Sequence, residues 1–262
     1  MPLLQQRHAS VVILTLSRPA GRNAWDEDFN QGLIETLAQL EDDPEVRCVI
    51  LTGDPAGGAF SAGANLKDER THRNDSPAAF IEGLPKWRRF VSHLLSEFPK
   101  PVIAAVNGYA IGIGCIATFC CDLVVASEAA EWRLPQVRLG ILPAYGGAVR
   151  LGRWVGRGNA MRASLGYPID AREAYRIGLA QWLVPPDQLM AKAMEIANDI
   201  AAMPPLAVRM VKESMNRGQD IPNLADAALC DVYRFMALEN TEDAREAHAA
   251  WREGRTPDVR GR

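Results

Sequence analysis

The chain has 262 residues, 48% apolar and 23% charged, and a formal net charge of −3. This is the composition of an ordinary globular protein, and the near-neutral balance gives no electrostatic attraction for nucleic acid or an anionic membrane. The length suits one large domain, or one domain with a helical appendage.

"MPLLQQRHASVVILTL" has no basic stretch leading into an apolar one, so no signal peptide is expected. "VVILTL" (Val11–Leu16) reads as a strand. Phe29, Leu33, Leu37 and Leu40 then recur at helical spacing, and "RCVILTG" (Arg47–Gly53) is the next β-rich run. After the glycine-rich "TGDPAGG" comes "AFSAGANLKDE" (Ala59–Glu69), in which Ser61, Ala62, Gly63 and Ala64 are all small. Small side chains let a ligand touch the main chain, where a backbone N–H is a fixed donor for an oxyanion; they suit a tightly packed turn equally well. Asp68 and Glu69 close this stretch, and acids there also suit a helix start.

"WRRFVSHLLSEF" reads as a helix carrying His93, and "PVIAAV" (Pro101–Val106) as a strand apolar enough to be buried on both faces. "NGYAIGIG" (Asn107–Gly114) turns the chain, and an apolar helix starts near Ile113, where the first N–H groups lack intrahelical acceptors. The glycine turn is neither a dinucleotide fingerprint, lacking its third glycine, nor a phosphate loop, lacking Gly-Lys-Ser/Thr. Nothing else supports a nicotinamide-dependent dehydrogenase. Val102–Cys121 is uncharged and long enough to span a bilayer, but its glycines, Asn107 and Thr118 fit strand, turn and buried helix better. "DLVVAS" (Asp122–Ser127) repeats the strand signature.

Strands alternating with helices indicate an α/β layered fold. After about Pro185 the texture changes to helix alone: "DQLMAKAMEIANDIAAM", "PLAVRMVKESMNRG" and "NLADAALCDVYRFMALEN", broken at Pro204–Pro205 and from Gly218 to Pro222. The division expected is 1–195 for an α/β core and 196–262 for a C-terminal helical region, ending in a frayed "TPDVRGR". The five cysteines contain no C-x-x-C pair, so they read as buried reduced thiols of a cytoplasmic protein rather than a zinc or disulfide framework.

"LSRPAGRNAW", "FSAGANLKDE", "KPVIAAVNGYAIGIG", "CDLVVASEAAEWRLPQVRLGILPAYGGAVRLGRWVG", "AREAYRIGLAQWLV" and "TEDAREAHAAW" together resemble the enoyl-CoA hydratase/isomerase (crotonase) superfamily, in order and over nearly the whole chain. The resemblance implies a spiral of ββα units with a C-terminal helical region that builds homotrimers, often paired into homohexamers. It implies an acyl-CoA substrate, with coenzyme A as part of that substrate, no separate cofactor and no metal. The thioester carbonyl would be held by the backbone N–H groups of Ala64 and Ile113; Ile113 stands where many members have glycine, so its side chain narrows the acyl pocket. Arg22 matches a position near the CoA phosphates. Ala24, Ala62 and Leu66 match the CoA and pantetheine path.

The same resemblance places the two glutamates of the hydratases at Ile116 and Gln136, and a third acidic position of some members at Ala144. None of these residues titrates: isoleucine exchanges no protons, and glutamine can only orient a group by hydrogen bonds. Tyr145, in "LPAYGGAVR", would border the acyl pocket, able to donate a proton or simply to pack; His93 and Tyr233 are weaker candidates. The expectation is therefore an enolate-stabilising thioester enzyme with an atypical hydratase, isomerase, decarboxylase or thioester-cleaving reaction. The alternative is a non-catalytic acyl-CoA-binding homologue.

Overall fold

A computed structural model of the chain describes residues 3–68, 76–83 and 90–262. In chain order the elements are β1 (Leu3–His8), β2 (Val11–Leu16), α1 (Glu27–Asp42), β3 (Cys48–Gly53), β4 (Ala59–Ser61), α2 (Pro77–Gly83), α3 (Val91–Glu97), β5 (Val102–Val106), β6 (Tyr109–Ile111), α4 (Ile113–Thr118), β7 (Leu123–Ser127), β8 (Glu131–Arg133), α5 (Gly147–Ser164), β9 (Ile169–Asp170), α6 (Ala171–Arg176), β10 (Trp182–Val184), α7 (Leu189–Ala201), α8 (Pro205–Gly218), α9 (Leu224–Glu239) and α10 (Glu242–Glu253).

The four apolar runs seen in the sequence become β2, β3, β5 and β7 of one six-stranded sheet, ordered β1-β2-β3-β5-β7-β10. All neighbours in it are parallel except β1 and β2. Alternate side chains enter two different cores. Val12, Leu14, Val49, Leu51, Ala104 and Val124 face the larger one. Val11, Ile13, Ile50, Ile103 and Val125 face the other, which α7 covers with Leu189, Ala193, Ile196 and Ala197. Burial on both faces is why these strands read as continuous apolar runs. Each fully buried Leu or Ile contributes roughly 1.5–3 kcal/mol.

A smaller sheet, β4-β6-β8-β9, collects the second strand of each successive pair: β3 leads to β4, β5 to β6, and β7 to β8. The chain crosses between the sheets over glycine. A Cβ on Gly53 would lie 2.3 Å from the Ala59 carbonyl oxygen, and one on Gly108 would lie 3.0 Å from that of Gly58. Only a residue without a side chain fits such approaches. Val102–Cys121 is thus split among β5, a turn, β6 and α4, and no helix among the described residues is long and apolar enough to cross a membrane.

The C-terminal helices fall where the sequence placed them, but the expected division between 195 and 196 lies inside α7, a helix whose apolar stripe completes a core of the sheet. The tail is not frayed. The buried Asp243 carboxylate accepts from the N–H groups of Arg260 (2.8 Å) and Gly261 (2.7 Å), and Arg47 Nη2 donates to the Val259 carbonyl (3.0 Å). These are charge-assisted bonds to backbone, invisible to a reading of local composition.

Lys212 fastens α8 to the core. Its buried Nζ donates to Asp122 Oδ2 (2.7 Å) and to the carbonyls of Lys100 (3.1 Å) and Leu95 (3.3 Å), while Asp122 Oδ2 also accepts from Val102 N–H (2.8 Å). Burial holds the Asp122 carboxyl above its ordinary value even with Lys212 beside it. Lys212→Met leaves that carboxylate uncompensated. The expected loss is at the low end of the about 3–5 kcal/mol typical of breaking a buried pair, because Asp122 keeps 24% of its side chain exposed. A carboxyl raised in the folded state opposes folding most where it is ionised. The gap between variant and parent in urea denaturation should therefore shrink as the pH falls from 7.5 toward 4. A gap that grows on acidification contradicts this role.

Candidate active site

Two turns meet at the end of the smaller sheet. The first follows β4, and its Gly63 has φ +90°; the second follows β6, and its Gly112 has φ +56°. Both conformations favour glycine. A Cβ on Gly63 would lie 2.8 Å from the Ile111 carbonyl oxygen, and one on Gly112 would lie 3.9 Å from Gly63 Cα, so the turns pack backbone against backbone. Behind them Gly114 lets α4 rest on β4: a Cβ there would lie 2.6 Å from Ser61 Cβ.

This packing aims two N–H groups. Gly63 and Ala64 run beside Trp25: Trp25 N–H donates to Gly63 O (2.7 Å) and Asn65 N–H donates to Trp25 O (2.7 Å). In a parallel bridge the central residue's own N–H points the other way, here that of Ala64. Ile113 is the first residue of α4, so its N–H has no intrahelical acceptor. Ala64 and Ile113 border one cavity of about 360 Å³. Two fixed donors on one cavity are the arrangement that stabilises a developing oxyanion.

Ile116 lies one turn further along α4, is 3% exposed, and also lines the cavity. Its Cδ1 fills the space over Gly147, 2.9 Å from where a Cβ would project. Gln136 sits in a 3-10 turn after β8, with Nε2 only 3.6 Å from the Cβ position of Gly112. Its Oε1 is buried and has no partner among the described residues. Ala144 and Tyr145 line the mouth. Tyr145 adopts φ +55° and stacks on Phe90 at 4.0 Å between ring centroids. Partial burial pushes its phenol above the ordinary value, so it stays protonated.

Of the other positions named from sequence, Ala62 and Leu66 line the cavity, while Arg22 and Ala24 do not. Arg22 is exposed, and its carbonyl accepts from Ala62 N–H (2.9 Å), so it supports the first turn through its backbone. His93, Asp68 and Tyr233 are not among the described lining residues, and Glu69 lies outside the described residues.

The acids among the described lining residues are Asp26 and Glu27, neither of them singled out from sequence. Asp26 is already committed: it caps α1 by accepting from Phe29 N–H (3.1 Å) and pairs with Arg18. Cys115 and Cys120, in and after α4, are held neutral, burial pushing Cys120 up to about 12, so neither offers a thiolate. Among the described residues no three His, Cys, Asp or Glu side chains gather as a metal site. Sequence reading also missed Trp25 and Asn30, which are buried in the cavity wall. A polar residue directly after Phe29 in the buried stripe of α1 was the available signal for Asn30.

A family model described as "Enoyl-CoA hydratase/isomerase" matches residues 6–262. The 2,3-dehydroadipyl-CoA hydratase of Escherichia coli strain K12 is 36% identical over 262 residues, covering 99% of both chains. The short-chain-enoyl-CoA hydratase of Clostridium acetobutylicum is 37% identical over 97% of this chain and 95% of its own. A crystal structure of enoyl-CoA hydratase from Bacillus anthracis superposes with a TM-score of 0.91 at 33% identity, covering all of both chains.

The glycine contacts make an ordered prediction about site assembly. Gly114→Ala drives a methyl into Ser61 Cβ and the Ser61 carbonyl, neither of which can move far; Gly147→Ala meets the flexible end of Ile116. Overpacking costs about 1–3 kcal/mol, and Gly114→Ala should fall at the upper end and Gly147→Ala well below it in urea denaturation. Adding Ile116→Val should recover most of the Gly147→Ala loss. Equal losses in the two single variants would contradict the packing described.

Proposed function

The chain belongs to the enoyl-CoA hydratase/isomerase family, and on that premise we propose that it is an enolate-stabilising acyl-CoA thioester enzyme whose reaction does not use the two-glutamate hydration mechanism. The supporting observation is the pairing of two backbone donors, Ala64 and Ile113, with a cavity that carries isoleucine at 116 and glutamine at 136. The thioester oxygen sits between the two N–H groups. Charge that builds on it as the enolate forms strengthens both hydrogen bonds, which lowers the barrier rather than merely tightening binding.

Neither Ile116 nor Gln136 is a general acid or base. Ile116 moves no proton, and the Gln136 amide can orient a substrate group or a water by hydrogen bonding through Nε2. Tyr145, with its phenol protonated, borders the acyl end at the mouth. Losing a general acid or base typically costs ~10²–10⁴-fold per role, so crotonyl-CoA hydration at ordinary hydratase rates would sink this reading. Decarboxylation, isomerisation, atypical hydration and thioester cleavage all draw on the oxyanion pair and remain the reactions to assay. A non-catalytic acyl-CoA binder is favoured by the same two residues; CoA esters that bind calorimetrically without turnover on an enoyl-, malonyl- and aryl-CoA panel would select it.

One substitution removes the donor. Ile113 is the first helical position, where proline is tolerated; the change removes the N–H and trims a side chain packed against the core, a loss that Ile113→Val controls for. Ile113→Pro should lower kcat by about 10²–10³-fold on whichever ester is turned over, with far-ultraviolet circular dichroism unchanged. The double change Ile116→Glu and Gln136→Glu should raise crotonyl-CoA hydration; no gain in a folded variant would argue against the positional assignment.

The proposal extends to assembly as a homotrimer or homohexamer. Leu224, Leu229, Val232, Tyr233, Phe235 and Met236 on α9 are all exposed in the single chain, an apolar surface that a second copy would cover. Light scattering after size exclusion should give a multiple of three chains, and a monomer at micromolar concentration would overturn it.

A further inference from the structure

Among the described residues, four that are not glycine hold a positive φ: Ala9, Arg22, Asn23 and Tyr145. Ala9 lies in the tight connection between β1 and β2. Arg22 and Asn23 share a turn that the Asn23 amide ties to the carbonyls of Asp54 (3.0 Å) and Ala59 (2.8 Å). Tyr145, at φ +55°, is the aromatic one, and a bulky side chain takes that conformation only at a cost. Glycine follows at 146 and 147, and a third glycine at 145 would hold the same angle freely. The backbone is strained so that a ring can stand at this point of the cavity, and strain of this kind gathers at ligand sites.

The ring is held by Phe90, which it stacks on with centroids 4.0 Å apart and planes 20° from parallel. Both residues line the cavity, and they come from different walls. Phe90 directly precedes α3, whose Val91 and Ser92 continue the lining in a buried position. Tyr145 stands two residues before α5, whose first residue, Gly147, packs on Ile116. Ile116 in turn lies one helical turn beyond Ile113 on α4. The stack therefore joins the α3 wall to the α5 wall on the Ile116 side of the donor pair, whereas Trp25 and Leu66 flank Ala64 on the other. Rings in contact at 4.0 Å leave no room for a methylene between them.

We propose that the Phe90–Tyr145 stack is the length stop of the acyl pocket. It ends the space available beyond the thioester, confines the substrate to short-chain acyl-CoA, and makes Tyr145 the residue that sets chain length. This rests on the acyl-CoA reading above and narrows its substrate class.

Calorimetric titration of the wild-type protein with acetyl-CoA, butanoyl-CoA, hexanoyl-CoA and octanoyl-CoA tests the stop. Each added methylene that finds apolar cover tightens binding roughly fourfold, so a chain that is not stopped gains steadily along the series. With the stack in place, octanoyl-CoA should bind no tighter than butanoyl-CoA. In Tyr145→Gly, which keeps the backbone conformation and removes the ring, the ratio of octanoyl to butanoyl affinity should rise about tenfold or more. Tyr145→Phe keeps the ring and should keep the wild-type ratio. A ring that served packing alone would, when removed, weaken all four esters alike and leave the ratio unmoved. Wild-type affinity that climbs through octanoyl-CoA overturns the inference whether or not any variant folds. So does a wild-type ratio that persists in folded Tyr145→Gly and Phe90→Ala. Failure of every ester to bind, acetyl-CoA included, instead overturns the acyl-CoA reading, and this inference with it.

Discussion

The structure turns on the contact between two backbone turns, one after β4 and one after β6. Gly63, Gly112 and Gly114 are all within a few ångströms of neighbouring main chain, and Gly63 and Gly112 hold positive φ angles. A side chain at Gly63 or Gly114 would separate the pieces that place Ala64 and Ile113 on one cavity. Backbone donors fixed this way need no reorganisation when charge develops opposite them, which is the property that distinguishes an oxyanion site from an ordinary polar cleft. The sheets, the crossing glycines Gly53 and Gly108, and the helices behind them serve to bring successive units into that register.

Among the described residues around this pair, few titrating groups are free to act. The cysteines near α4 are held as neutral thiols by burial, the Tyr145 phenol is held protonated, and the Asp26 carboxylate is spent on a helix cap and an ion pair. Beside the exposed Glu27 carboxylate, what remains among the described lining residues are hydrogen-bonding side chains such as Gln136 beside Gly112. Groups of this kind discriminate by geometry and by donor–acceptor pattern rather than by proton transfer. Specificity and carbonyl activation can therefore be strong where acid–base power is weak.

The sequence was most informative where burial leaves a long signature. β2, β3, β5 and β7 were readable because both faces are covered, α1 because Phe29, Leu33, Leu37 and Leu40 recur at helical spacing, and α8 and α9 because proline and glycine mark their breaks. β1 was missed because five of its six residues are exposed and only its pairing with β2 makes it a strand. β4, β6 and β8 are three residues each, too short for any period to show, and the tail is ordered by Asp243 and Glu246, which lie ten or more residues before it. In the site, the small-residue turns signalled close approach, and the resemblance said what they would approach. Trp25 and Asn30 stayed hidden because a tryptophan and an asparagine at a helix start read as packing and surface until their place in the cavity wall is seen.

The surroundings of Ile116 show what a carboxylate at that position would meet. Ile116 is wedged against Gly147 and near Pro143, and its methyl groups fill space that a carboxylate would have to share with apolar atoms. The start of α5, which adjoins it, has little to offer a buried charge: Gly147 N–H already donates to Ala144 O (2.9 Å) and Ala148 N–H to Pro143 O (3.3 Å). A carboxylate there would have to find its hydrogen bonds in the cavity. An unpaired buried carboxylate takes up a proton instead and loses its use as a base.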